Sequence, residues 1–374
     1  MNQPASRLLR RLNAAIAGAK SQYDADCAHA ERACYLARQG DFAQASRTIT
    51  TLRRRYASQP DAAMSVWLNL AEGLVSYYSE LGPIAHDKVM RAHALSAASG
   101  LAQLTALTAA WLAQMNFSRH DVAQVARCAS ASLKLSEPTH HAARARACLV
   151  VAQALHGAGR WYLAAPWYTR ARVHATAEGD ELSISALMHN MVGMRLDNYR
   201  QAVLTGRGDP REAQSGLVGL ESSENFDILF GTSTLEPLRP MLRARFLSLQ
   251  QRTAEALKVY DEHFPVSVAS EIARMASDML SDIAWCRLKQ GDTVRARSDA
   301  VAAEQSLTPR TQVDERAATH TRLASVDREL GESSEANRHA QLADAAWSEF
   351  EALQRQFVAL LADMTESGSP ATPA

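Results

Sequence analysis

The sequence has no surplus of either charge: 40 Lys+Arg stand against 40 Asp+Glu in 374 residues. Duplex DNA and anionic membranes select basic surfaces, so neither is expected as a partner. Cysteine is scarce. Cys27, Cys34, Cys128, Cys148 and Cys286 form an odd set without a CxxC, which argues against a disulfide framework or zinc knuckle and fits a reducing compartment. No segment reaches the roughly 18 consecutive apolar residues of a membrane span. Arg7, Arg10 and Arg11 are not followed by an apolar stretch of signal-peptide length, so a cytoplasmic protein is expected. Catalytic signatures are missing too: no GxxxxGKS or GxxxxGKT loop, no GxGxxG between strand and helix, no HExxH and no GxSxG elbow. No nucleophile or acid/base pair can be assembled, so no enzyme activity and no cofactor is expected. His140 and His141 before Cys148, and His86 with His93, lack the third ligand a metal needs, and packing or capping is the expectation for them.

What is present is helix-forming residue in quantity. Hydrophobic residues make up 47% of the chain, and alanine alone about 18%. Alanine is the best helix former and lets helices approach closely. Apolar residues recur at helical spacing and are interrupted at regular intervals by a short turn. ARQGDFAQA (Ala37 to Ala45), HGAGRWYLA (His156 to Ala164), LKQGDTVRA (Leu288 to Ala296) and RELGESSEA (Arg328 to Ala336) share one pattern. A helix ends at Gly40, Gly159, Gly291 or Gly331, and the returning helix carries an alanine five residues later. The glycine suits a left-handed helix end, and the alanine suits a close helix crossing. Weaker turns lie at Leu81-Gly82-Pro83, Phe117 to Asp121 and Gly206 to Pro210, with Gln251 in the glycine position of a further one. Turn positions near 40, 82, 119, 159, 208, 251, 291 and 331 are about 42, 37, 40, 49, 43, 40 and 40 residues apart. Such a period is one helix-turn-helix hairpin, and about eight hairpins account for the chain.

Turn glycine, aromatic and alanine in this order resemble the tetratricopeptide repeat (TPR). Phe42 and Trp161 fall at its aromatic after the turn and Ala33 and Ala284 at its small first-helix position. Ala45, Ala164, Ala256, Ala296 and Ala336 match its second-helix alanine, and Tyr168 and Tyr260 its second aromatic. The step near 40 exceeds the family's 34. It is more similar to the longer repeats in sensor arms of maltose-type bacterial transcription activators. The resemblance spans roughly residues 20 to 345. It implies an all-α, right-handed α-solenoid of about eight antiparallel helix pairs, whose first helices line a concave binding surface. Residues 1–364 are read as one such domain and 365–374 as a disordered tail.

Several segments depart from the pattern. Thr205 to Pro237 holds five of the 17 glycines. It reads as about two helical turns from Pro210 and then a loop near Ser222 to Glu236, either a degenerate repeat or a hinge or binding loop at mid-array. Ser334 to Met364 reads as one helix of about 30 residues. Its stripe of Phe350, Leu353, Phe357, Leu360, Leu361 and Met364 suits a cap or a homodimer seam. Around Pro166, Trp161 and Tyr168 are expected in the core, while Tyr162 and Trp167 are candidates for a binding patch. In Glu181 to Leu204, a polar arc of His189, Asn190, Gly193, Asp197, Arg200 and Gln201 lies opposite a wide apolar arc, into which Arg195 and Asn198 project. That arc is the expected peptide contact: Asn and Arg suit amides and carboxylates, and the glycine admits a backbone. The expected function is a non-catalytic scaffold that binds another protein or peptide. A sensory or regulatory component acting on a separate output protein is the second reading.

Overall fold

Helical spacing along nearly the whole chain produces helix along nearly the whole chain. The computed structural model describes residues 6–80, 83–208, 210–231, 238–269, 275–309 and 311–367, and among these there are seventeen helices and no strand. After α1 (Arg7–Ala17) they pack in neighbouring pairs. These are α2 (Gln22–Gln39) with α3 (Phe42–Arg55), α4 (Ala62–Glu80) with α5 (Pro83–Ala98), α6 (Ala102–Phe117) with α7 (Val122–Leu135), and α8 (His141–Gly157) with α9 (Trp161–Glu178). The chain continues with α10 (Glu181–Leu204) and α11 (Pro210–Phe230), α12 (Leu238–Leu249) and α13 (Thr253–Ala269), α14 (Ala276–Lys289) and α15 (Thr293–Gln305), and α16 (Val313–Glu329) and α17 (Ser333–Ser367).

The turns explain the pairing. Gly40 and Gly291 take φ of 100° and 84°, and the next residue, Asp41 or Asp292, caps the returning helix by accepting from the backbone N–H three residues on. That cap satisfies a helix-start donor that has no intrahelical partner. The same turn forms without glycine at His120, φ 56°, before the capping Asp121, and at Gln251, φ 61°. The alanine after each turn is then enclosed: Ala45, Ala164, Ala256, Ala296 and Ala336 are all buried. The first helices of successive pairs also touch in a row, α2 to α4, α4 to α6 and on to α16.

Two expected boundaries move. The segment read as a loop from Ser222 is helical through Phe230, and residues 232–237 lie outside the described residues. Gly216 and Gly219, inside this helix, are packing positions, whereas Gly206 and Gly231 take left-handed φ at the turns that flank it. A Cβ on Gly216 would stand 2.3 Å from the Phe246 ring, and one on Gly219 would stand 3.1 Å from Val192. The buried face of α11 uses Leu220, Ser223 and Asp227, and two polar members hide its period. The C-terminal helix is longer than expected, 35 residues. It therefore includes Thr365 to Ser367 of the expected tail, while residues 368–374 lie outside the described residues.

The two ends come back to the middle of the chain. At the start, Leu8 N donates to Gly179 O at 2.9 Å and Ser6 Oγ to Glu181 at 2.6 Å. Arg38 holds both oxygens of Asp180 at 2.9 and 2.7 Å. At the far end, Gln312 donates to Ser118 O at 2.7 Å, and Phe357 packs on Phe117 with centroids 5.8 Å apart. Phe357 and Leu361 are buried by this chain's own middle helices. These side chains of the stripe are occupied within the chain, whereas Leu360 stays exposed.

Candidate functional site

The polar arc of α10 does not form one surface. His189 is buried with its Nε2 2.6 Å from Asp227, which also accepts from Ser185 at 2.5 Å. Arg200 is buried as well. It donates to Asp278 and, at 3.2 Å, to Asp314, and lies 3.8 Å from Asp197. Arg245 from α12 shares Asp278. Burial opposes the Arg200 charge, but Asp278, Asp197 and Asp314 hold it above the ordinary arginine range. Asp197 keeps 32% side-chain exposure. Burial and the Asp314 and Asp278 carboxylates nevertheless push it up to about 6 against the pull of Arg200 and Arg245. Arg200 is thus a structural ion-pair residue rather than an open contact. Asn190 and Gly193 are half-buried, and a Cβ on Gly193 would meet nothing within 4 Å.

Of the expected residues, Gln201 reaches a cavity. A cleft of about 1100 Å³ opens between the α8–α9 turn, α10, Ser215 of α11 and the second half of α17. Its α10 wall is Arg195, Asn198, Gln201 and Ala202. Arg195 and Asn198 therefore face the cleft and not the apolar core where their helical position put them. Leu196 and Tyr199, on the same turns of α10, stay buried in the core, and the opposite wall of the cleft comes from α17. Asn198 Nδ2 donates to His156 O at 2.7 Å, and Gln354 Nε2 donates to Gly157 O at 2.9 Å and to Gln201 at 3.1 Å. Both amides thus satisfy end carbonyls of α8, which have no helical partner. Arg195 donates to Ser215 Oγ at 2.6 Å, and Arg207 stands 3.8 Å from Glu351. With Arg160 and Arg355, four guanidiniums line the cleft against one carboxylate. They stand near the negative end of α8, which favours cations.

The aromatic positions exchange roles. Trp161, expected in the core, is 43% exposed at the cleft edge, its ring tilted 58° against that of His156 with centroids 4.9 Å apart. Trp167, expected in a patch, is 3% exposed and packs in the core. Buried positions of α9 are Ala164, Trp167, Tyr168, Ala171 and Ala175, one helical face that leaves the first residue over the turn. Tyr162 is exposed. Burial, then the Arg195 guanidinium, pushes His156 down to about 4, so the ring is neutral near pH 7. A smaller cleft of about 570 Å³ between α11, α12 and α13 carries Arg243, Arg252 and Lys258 against Glu221, Glu255 and Glu262. Its charges balance, unlike those of the larger cleft.

Among the described residues no group of three His, Cys, Asp or Glu is placed to hold a metal. His141 meets His174 at 3.0 Å, His86 meets Asn116 at 3.0 Å and His93 meets Thr108 at 3.1 Å. The five cysteines are free thiols. No helix among the described residues is long and apolar enough to cross a membrane. Compared with known protein families and with curated proteins, the chain matches none.

Proposed function

We propose that this chain is a non-catalytic binding protein, a right-handed TPR-like α-solenoid that holds a segment of another protein in the cleft between the α8–α9 turn, α10 and α17. The observation that carries the reading is the composition of that cleft: four arginines, one glutamate, the amides of Asn198, Gln201 and Gln354, and the half-exposed Trp161. Amides suit a peptide backbone, guanidiniums suit carboxylates, and a tryptophan edge suits an apolar anchor. The turn glycines and the buried alanines after them support the TPR-like architecture.

The test is affinity purification of the full chain with cross-linking, comparing wild type with Arg160→Glu/Arg355→Glu. Neither arginine forms an ion pair with a described residue, so melting is expected to stay unchanged. Partner recovery is expected to fall about tenfold or more. Asn190→Ala is the control and is expected to retain the partner. Full recovery with both charges reversed would move the site elsewhere.

The second reading, a sensory component acting on a separate output protein, draws support from a different part of the molecule, the buried guanidinium of Arg146.

A further inference from the structure

Arg146 lies within α8, 4% exposed, with its guanidinium 4.1 Å from the centre of the Trp111 ring on α6. Buried arginines are ordinarily paired, because an isolated charge away from water is costly. The other buried arginines among the described residues obey this: Arg200 and Arg245 meet Asp278, and Arg322 meets Asp282. Arg146 makes no hydrogen bond or ion pair with any described residue, and its Nε is enclosed without a partner. Burial lowers it below the ordinary arginine range, the Tyr78 hydroxyl works against this, and Arg38 adds to it. Stacking on an indole offsets only part of such a desolvation.

The surroundings define what would complete the site. Asp180 acts on Arg146 from a distance but is committed elsewhere: Arg38 holds both its oxygens and Ser183 Oγ donates to it at 2.7 Å. Arg38 also reaches the Trp111 ring, 5.9 Å from its centre, and Tyr78 stands edge-on to the same ring at 6.2 Å. Two guanidiniums and one carboxylate leave one positive charge uncompensated. A monoanion neutralises it, whereas a phosphate dianion overshoots and is costlier to strip of water. A guanidinium lying on an aromatic face keeps its N–H edge free in its own plane. A planar carboxylate matches that edge with two parallel hydrogen bonds.

We infer that Arg146, seated on Trp111 beside the Arg38–Asp180 pair, is a binding site for a monoanionic carboxylate, from a small free acid or from the end of a peptide chain. The site lies apart from the arginine cleft and does not depend on it.

The full chain is titrated with sodium acetate, ionic strength being held with sodium chloride. Melting temperature and the indole N–H signal of Trp111 are followed, the signal being assigned with Trp111→Phe. The expected result is a movement of the Trp111 signal together with a saturable rise of about 2 °C at ten times the dissociation constant. Arg146→Met, of similar length and uncharged, is expected to lose the saturable rise and to melt no lower than unliganded wild type. Phosphate at matched ionic strength is expected to give the smaller rise. A tripeptide with a free terminus, compared with its amide, separates the sources. A free terminus binding about tenfold more tightly than acetate, with no binding of the amide, assigns the site to a peptide end; equal or weaker binding assigns it to a small acid. A Trp111 signal that acetate moves no more than chloride overturns the inference in wild type alone, even if the variant fails to fold. An equal saturable rise in Arg146→Met, or an equal rise with phosphate, overturns it as well.

Discussion

Asp278 accepts from two guanidiniums that arrive on different helices, Arg200 on α10 and Arg245 on α12. Removing it leaves both charges buried and short of a partner, so Asp278→Ala is expected to cost about 3–5 kcal/mol, read as a shift in urea midpoint at constant slope. Arg200 was legible as a polar residue on a helix face, but its carboxylates lie 78 and 114 residues away in the chain, and no helical projection locates them. Histidines set the acid limit. Burial first, with neighbouring charges second, pushes His156, His174 and His320 each down to about 4. In the unfolded chain such rings protonate near pH 6.5. Between those values the unfolded chain binds more protons than the folded one, so the stability the neutral rings contribute is full above pH 6.5 and lost as pH falls towards 4. Asp197 and Asp327, pushed up to about 6, act in the opposite sense and gain stability as pH falls from about 6 towards the ordinary aspartate value of 3.8. With three rings against two carboxyls, the urea midpoint is expected to be lower at pH 4.5 than at pH 7, and His156→Gln is expected to narrow that gap. Equal midpoints at both pH values in wild type would contradict the balance.

Elements carry their own tests through their turns and glycines. Gln251 holds φ of 61° where other turns use glycine. A left-handed conformation costs a residue with a Cβ about 1–2 kcal/mol, so Gln251→Gly is expected to raise stability by about 1 kcal/mol in thermal melts. Gly216 and Gly193 both lie inside helices yet should respond oppositely. Gly216→Ala drives a Cβ into the Phe246 ring, with an expected loss of about 1–3 kcal/mol. Gly193→Ala meets open space and is expected to add about 0.5–1 kcal/mol. If a partner backbone crossed Gly193, the same change would weaken partner recovery, and unchanged recovery keeps the contact at the cleft. The loop expected from Ser222 rested on the glycine content of the stretch, and composition does not reveal which neighbour a missing side chain admits.

At the scale of the whole molecule, α17 pairs with α16 along its first half and packs on α7 and α8 along its second. The N-terminal helices are tied to the α9–α10 turn, and α16 to α10 and Ser118. Linear arrays unravel from their ends because each unit touches only its neighbours. Cross-ties of this kind predict one cooperative transition, with coincident denaturation curves from tryptophans in the first half, such as Trp111, and the second, such as Trp285. Phe357→Ala, which loosens the α17 contact, is expected to separate the two curves. Separate curves in wild type would mean that the ties contribute little.

Helical content, helix pairing and the turns were determined by the sequence itself, because their signals are local. A glycine able to turn left, an aspartate that caps the next helix and an alanine at the crossing all act within a few residues. The cleft and the buried charge clusters were decided only by tertiary structure. Arg195 and Asn198 look like misplaced core residues until Gln354, 153 residues beyond its partner Gln201, brings the opposite wall. Trp161 and Trp167 cannot be sorted by spacing on one helix, since burial depends on where the neighbouring helix ends. Side-chain burial and ion pairing are properties of surfaces that meet, and the chain's order alone does not say which surfaces do.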